Sequence, residues 1–259
     1  MSPRGFVIHF TARSGSTFII YTLMRHPRIK AHAEVFGGDR LPGNLEQTDQ
    51  NQIVYFRRLM RPYRIEAPLG DDISRGFKIQ VAREHEQIRN VRRYVKVAKE
   101  YDVAKLFLYR KNRVKQVISA LRARQVQDLT MQLNSVARAH VFDSETHEQV
   151  RKLPKLVVRP ERLLHALDSL EEGYRTLDSL KADFGGGIDL FYEDVIADRQ
   201  RFFEKIFQEL GVPSIDVSVT DETKKITSEL LSDVVENFDE LKARLSGTVY
   251  EAQLMSAIG

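Results

Sequence analysis

Five residues near the start, Phe6-Val7-Ile8-His9-Phe10, run straight into Thr11-Ala12-Arg13-Ser14-Gly15-Ser16 and then into Thr17–Arg25. The five are too few for a helix, and they are rich in aromatic and branched side chains, so they predict a buried strand. The next six hold a glycine, two serines and a cation, and predict a turn. Thr17–Arg25 carries an apolar face at helical spacing, and Pro27 stops it soon after His26. Ile29–Ala33 reads as a second strand that ends at Glu34. Strand, loop, helix and strand within the first 34 residues make a βαβ unit, which requires the two strands to be parallel.

The alternation continues. Gly76–Val81, Lys105–Tyr109 and Ile188–Tyr192 read as further strands, and Lys155–Val158 as a short one. Helices are expected near Glu46–Met60, over Glu84–Tyr101, over Arg113–Gln125 behind an Asn112 cap, and over Glu161–Asp183, Arg199–Leu210 and Ser232–Leu245, the last capped by Ser232. Residues 37–74 are rich in Gly and Pro and read as irregular around their one helix, and residues 126–153 are polar and read as helical in parts. The expected fold class is α/β, a parallel sheet flanked by helices on both faces. Nothing in the chain suggests a linker, so residues 1–259 read as a single domain. Ligands of such sheets bind at the carboxyl ends of the strands. Arg13, Glu34, Lys78 and Arg110 fall at or near those ends.

Composition excludes several chemistries. The chain has no cysteine, which removes disulfides, Cys zinc sites, iron–sulfur clusters and a Cys nucleophile. Forty Lys+Arg against 36 Asp+Glu leave a net charge of +4, which suits an anionic ligand if the positive charge gathers in a cleft. The clusters Arg57-Arg58…Arg61…Arg64 and Arg89…Lys99 read as solvated helix faces, or as the border of a site for an acidic sugar or lipid. They lack interleaved aromatic platforms, so no nucleic-acid partner is expected. No apolar run approaches the ~20 residues of a membrane span, and the N-terminus lacks a signal-peptide core. The expectation is a cytoplasmic chain with no membrane span. The histidines form neither HxxxH nor HExxH, so no metal site is expected.

The loop Thr11–Thr17 carries the chemistry. Backbone N–H groups at a helix start point at an anion, and the helix dipole adds favourable potential. Gly15 lets a ligand approach closely, Ser14, Ser16 and Thr17 bring hydroxyls, and Arg13 brings a planar charged fork. A lone Gly-Ser turn is an ordinary capped helix start; a cation and three hydroxyls behind the first strand favour an anion site. The loop is not GxxxxGK[ST], because no Lys stands before the final Ser/Thr, which disfavours a magnesium–nucleotide kinase or GTPase. It resembles instead the 5′-phosphosulfate loop of sulfotransferases that use 3′-phosphoadenosine 5′-phosphosulfate (PAPS), here as Arg13-Ser14-Gly15-Ser16-Thr17-Phe18.

Further segments resemble that family in the same order, in particular its bacterial carbohydrate-type and tyrosylprotein-type branch. They are Leu23–Ile29 with Glu34-Val35-Phe36, Leu108-Tyr109-Arg110-Lys111-Asn112 with Gln116–Ser119, and Phe191–Val195 with Ile206…Leu210-Gly211-Val212. Glu236–Leu241 and Leu245–Thr248 are similar to bacterial members too. The resemblance implies a P-loop-like nucleotide-binding architecture and transfer of a sulfuryl group from PAPS to an acceptor hydroxyl without a metal. Small-molecule, carbohydrate, lipid and tyrosine acceptors all stay open. Arg13, Ser14, Gly15, Ser16 and Thr17 would hold the phosphosulfate. Arg110 and Ser119 would hold the 3′-phosphate. Lys111 is an alternative to Arg110, since it matches the family's shorter interval to the serine; Arg is preferred for its planar fork.

The resemblance also makes Glu34 the general base, against a reading as a surface carboxylate or a partner of Arg40. His32, two residues earlier, would share its strand face and is the second choice. Lys78 inside an apolar strand either orients Glu34 or the transferred group, or is an edge residue with a snorkelling side chain. Two other function classes stand beside the sulfotransferase: an atypical P-loop kinase and a non-catalytic nucleotide-binding module.

Overall fold

The computed structural model describes residues 3–38, 40–60, 73–81, 87–132, 152–217 and 230–256. The chain folds into two compact units, Met1–Tyr109 with Glu172–Ser218, and Arg110–Glu171 with Val219–Gly259.

The first unit is built on a parallel sheet. Its strands are β1 (Phe6–Phe10), β2 (Ile29–Glu34), β5 (Ser74–Gln80), β6 (Ala104–Tyr109) and β7 (Ile188–Phe191), in the spatial order β2-β5-β1-β6-β7. Every pairing is parallel. The expected α/β class and five of its strands are therefore present. A two-stranded antiparallel hairpin, β3 (Arg40–Leu41) and β4 (Leu45–Glu46), lies in the Gly/Pro-rich stretch. β1 is central and buried along its whole length, which is why it reads as an unbroken apolar run rather than an alternating one.

The two faces of the sheet have different partners. Phe6, Ile8, Phe10, Ala31, Leu106 and Leu108 pack with helix α1 (Ser16–Met24) and helix α7 (Arg199–Leu210) through Ile19, Ile20, Leu23, Phe203, Ile206 and Phe207. On the other face Phe77 meets Phe56 of α2 (Asp49–Met60), and His9 meets Tyr94 of α3 (Val91–Glu100). Phe107 meets Phe184 at the end of α5 (Pro160–Phe184) on the same face. His9 is fully buried, stacks on Phe107 at 4.9 Å and bonds Tyr94 Oη at 2.8 Å. It packs within its strand, as the sequence suggests.

The second unit packs Val114, Val117 and Ile118 of α4 (Arg113–Gln132) against Leu163 and Leu167 of α5. Leu241 and Leu245 of α8 (Phe238–Leu245) and Leu254 of α9 (Glu251–Met255) complete the cluster. A short helix, α6 (Tyr192–Ala197), follows β7 in the first unit.

Several boundaries differ from expectation for identifiable reasons. The helix read from Glu84 starts at Val91, behind an Asn90 cap that accepts from Arg93 N at 3.0 Å, and residues 82–86 lie outside the described residues. Tyr192 opens α6 instead of closing β7. Lys155–Val158 is no strand: it makes one isolated bridge, Leu156 to Val235. That bridge uses the backbone of 234–236, so the expected Ser232–Leu245 helix divides. A 3₁₀ turn forms at Leu231–Asp233, and α8 begins only at Phe238. Of the polar stretch 126–153, the helix α4 covers residues to 132, and 133–151 lie outside the described residues.

Candidate functional site

The turn after β1 is shaped by two left-handed residues, Arg13 at φ 62° and Gly15 at φ 91°. Arg13 spends energy there, because a side chain crowds its own carbonyl in this region, at a cost of about 1–2 kcal/mol. Strain of this kind persists where the surroundings enforce it, and a turn with alternate left-handed residues gathers N–H groups into an anion cradle. Gly15 is also required by space: a Cβ at that position would overlap the Tyr192 ring, which lies over the loop. Gly15 caps α1 without a side-chain hydrogen bond. The Ser14 hydroxyl is fully buried with no hydrogen-bond partner. A buried hydroxyl left unsatisfied costs roughly 1–3 kcal/mol, and an oxyanion at the loop would satisfy it. The donor set therefore fits a phosphate or sulfate group.

Lys78 joins this loop to Glu34. Its Nζ lies 2.9 Å from Thr17 Oγ1, 3.3 Å from Ser16 Oγ and 3.2 Å from Glu34 Oε1. It also sits 4.9 Å above the Phe10 ring. The Lys78 side chain is 4% exposed and that of Glu34 is 32% exposed. Burial pulls the Lys78 ammonium below its ordinary pKa; Glu34 pulls it back up, and Arg13 pushes it down again. Of the two sequence readings of Lys78, the snorkelling edge residue is excluded, because β5 is an interior strand and the head group is buried.

Glu34 reaches Lys78 because β2 is irregular. His32 pairs with Phe77 and Glu34 with Lys78, so two steps along β2 match one step along β5. Ala33 is the extra residue of a bulge, a device that re-aims a side chain at a strand end. Phe77 and Lys78 face opposite sides of the sheet, and so do His32 and Glu34. The expectation that His32 shares a face with Glu34 is therefore corrected. His32 points to the α2 side, into a groove with Lys30 and Arg75.

The second Glu34 oxygen accepts from Gln87 Nε2 at 3.1 Å, while Gln87 Oε1 accepts from the Gln80 backbone N at 2.9 Å. Gln52 Nε2 donates to the Gln87 carbonyl at 2.6 Å and to Gln47 Oε1 at 2.7 Å, and Gln47 Nε2 donates to Phe36 O and Gly38 O. Glu34 is thus held from both oxygens, and Arg40 bonds Asn44 O instead of Glu34. Sequence reasoning missed Gln87. Gln47, Gln52 and Gln87 all stand in polar stretches of the chain, where nothing local marks an amide as buried, so the sequence carries no signal for this network.

In the second unit, Arg110 is 6% exposed, Lys111 is exposed, and Ser119 is 5% exposed on α4. Asn112 caps α4 as expected, accepting from Lys115 N at 2.8 Å. Gln253 Oε1 accepts from Arg113 N at 2.6 Å and Val114 N at 3.4 Å. The first-turn amides of α4 are therefore taken by the protein, and any anion there is left to side chains. Lys115, one turn before Ser119 on the same helix face, is 3% exposed. It is a basic residue that the i, i+4 spacing to Ser119 would have revealed.

Among the described residues no group of His, Cys, Asp or Glu is arranged to hold a metal, and no helix is long and apolar enough to cross a membrane.

No protein-family model matches the chain, and no curated protein matches it. Among solved structures it is similar to a sulfotransferase from Alicyclobacillus acidocaldarius, at 16% identity over 98% of this chain and 95% of that one, with a TM-score of 0.45. It is similar to mouse sulfotransferase SULT7A1 complexed with PAP, at 14% identity over 98% and 76%, with a TM-score of 0.44. It is similar also to the sulfotransferase domain from the curacin biosynthetic pathway, at 12% identity over 99% and 84%, with a TM-score of 0.47. What the site can do follows from its own side chains.

Proposed function

We propose that the chain is a PAPS-dependent sulfotransferase acting on the hydroxyl of a small-molecule, carbohydrate or lipid acceptor in the cytoplasm. The observation that carries this reading is the junction at Lys78 Nζ, which contacts two hydroxyls of the phosphate-type loop and the Glu34 carboxylate together. A single buried cation there serves both halves of a group transfer: it offsets anionic charge at the loop and orients a base toward the same place.

PAPS supplies a sulfuryl group already activated on its 5′-phosphate. Arg13, the Ser14, Ser16 and Thr17 hydroxyls and the amides around Gly15 hold the charged end. Lys78 stabilises negative charge at the loop. Glu34, fixed by Lys78 and Gln87, takes the proton from the acceptor hydroxyl. The 3′-phosphate falls to Arg110 and Ser119, since Arg110 is a buried fork and Lys111 an exposed point charge. Arg110 leaves β6 directly, and β6 lies beside β1. The residues named require no metal.

The test is calorimetric binding of 3′-phosphoadenosine 5′-phosphate (PAP), ADP and ATP in buffer containing EDTA, with Glu34→Ala in parallel. PAP should bind at least tenfold more tightly than ADP, and Arg110→Ala should erase that preference. Glu34→Ala should abolish sulfuryl transfer while PAP affinity survives. Tight ATP binding that depends on magnesium would favour the kinase, and full transfer activity in Glu34→Ala would remove Glu34 as base.

A further inference from the structure

Lys78 holds the Glu34 carboxylate by one oxygen only. Its Nζ meets Oε1 at 3.2 Å and also meets Thr17 Oγ1 and Ser16 Oγ, so Oε1 is the oxygen on the side of the loop. The last torsion of a glutamate is broad, and a carboxylate with one partner turns about it. A second partner on Oε2 fixes the plane, and Gln87 Nε2 supplies it at 3.1 Å.

The sense of the Gln87 amide is forced from its other end. The Gln80 backbone N–H can only donate, so the Gln87 atom facing it at 2.9 Å is the carbonyl Oε1, and the NH2 group is left to donate to Glu34. The Gln87 backbone is anchored as well. Its carbonyl accepts from Gln52 Nε2 at 2.6 Å, and Gln52, 4% exposed, in turn accepts from Arg89 N at 3.0 Å through Oε1. Buried amides with their bonds made hold one geometry. Gly37 adds the space. Its φ is not left-handed, so its backbone does not call for glycine, yet a Cβ there would stand 3.1 Å from both Glu34 Oε2 and Gln87 Nε2, against the hydrogen bond itself.

We propose that Gln87 is a positioning residue for the base: beside the bare backbone of Gly37, its amide holds Oε2 so that Oε1 faces the loop and takes the acceptor's proton. This deepens the sulfotransferase reading and rests on it. In the step served, the acceptor oxygen bonds to sulfur as the bond from sulfur to the 5′-phosphate oxygen breaks. PAP leaves with that electron pair, and the acceptor's proton goes to Glu34.

The experiment measures PAP release from PAPS by the full chain, with water, 2-naphthol and glucose as acceptors, beside urea unfolding and calorimetric PAP binding. Gln87→Glu keeps the bonds from Gln80 N and Gln52 and loses the donor to Glu34; Gln87→Met loses the bond from Gln80 too. Both should lower kcat roughly 10- to 100-fold while KM for PAPS and PAP affinity stay unchanged. A structural role alone would spare Gln87→Glu. Gly37→Ala, at an exposed position, should lower kcat in the same way without removing any hydrogen-bonding group. Glu34→Ala/Gln87→Glu should be no slower than Glu34→Ala, because Gln87 acts only through the carboxylate. Wild-type kcat in Gln87→Glu, or a double variant slower than Glu34→Ala, overturns the positioning role and leaves the sulfotransferase reading standing. A wild type that releases no PAP from PAPS with any of the three acceptors removes that reading, and the positioning role falls with it.

Discussion

Replacing Lys78 by methionine separates its structural worth from its chemical worth. The ammonium donates to two neutral hydroxyls at 2.9 and 3.3 Å and pairs with Glu34 at 3.2 Å. Two hydrogen bonds from a charged donor contribute about 1.5–3 kcal/mol each, and a pair with a carboxylate one-third exposed adds about 0–1 kcal/mol. Against this stands the cost of burying an ammonium whose side chain is 4% exposed, several kcal/mol in real proteins. The opposing contributions are of similar size. Lys78→Met should therefore change unfolding free energy by less than about 2 kcal/mol, with the apolar side chain favoured where it fits. Binding behaves differently, because a hydrogen bond from a charged donor to an anion is worth about 1.5–3 kcal/mol. PAP affinity should fall roughly 10- to 150-fold. Urea unfolding and calorimetric PAP titration on the same protein make the comparison. The pH dependence gives an independent check. The folded state lowers the Lys78 pKa, so between the folded and unfolded values the unfolded chain carries the extra proton, and stability rises with pH there. The wild type should gain on Lys78→Met as pH approaches about 10.4. A methionine variant that is more than 3 kcal/mol less stable yet binds PAP normally would refute the reasoning and make Lys78 a purely structural residue.

Gly15→Ala should cost about 1–2 kcal/mol for the left-handed conformation plus the clash with Tyr192; Gly15→Ala/Tyr192→Ala should recover only the clash, as read by denaturant unfolding. Burial lowers the His9 pKa to about 3, so as pH falls below 6.5 the unfolded chain takes up the proton first and stability is lost. Relative to His9→Gln, the wild type should lose about 1.4 kcal/mol per pH unit between 6.5 and about 3, or about 2 kcal/mol at pH 5. Equal slopes for the two proteins would disprove it. Asn112→Ala should cost about 1 kcal/mol of thermal stability through the lost cap of α4, with Gln253 limiting the damage.

The sheet is legible in the sequence because its strands are short apolar runs in a chain where polar residues are frequent, and Phe6–Phe10 matches β1 residue for residue. Helix ends set by local caps are legible too: Arg199–Leu210 ends at Gly211, whose φ is 66°. What escapes is structure made by distant partners. Gln253 lies 139 residues or more from the α4 amides that it caps, and the bridge from Leu156 to Val235 divides a stretch whose own spacing fits one helix. No local propensity encodes either.

Glu34 and His32 carry the same lesson at the site. An i, i+2 pair on a strand shares a face by the two-residue period of the pleat, so regular geometry makes the two interchangeable as bases. One unpaired residue, Ala33, breaks that period and sends them to opposite faces, one to Lys78 and one to the cationic groove. A bulge is decided by how β2 registers against β5, some 45 residues later, and Ala33 itself carries no mark of it. Shortening β2 by deleting Ala33 would restore the regular pleat and pair His32 and the glutamate with consecutive β5 positions. The glutamate then stays opposite Lys78 on the same face, so PAP binding and sulfuryl transfer should both survive the deletion. A deletion variant that binds PAP yet transfers no better than Glu34→Ala would mean that the pairing of Glu34 with Lys78 is not what makes the carboxylate a base.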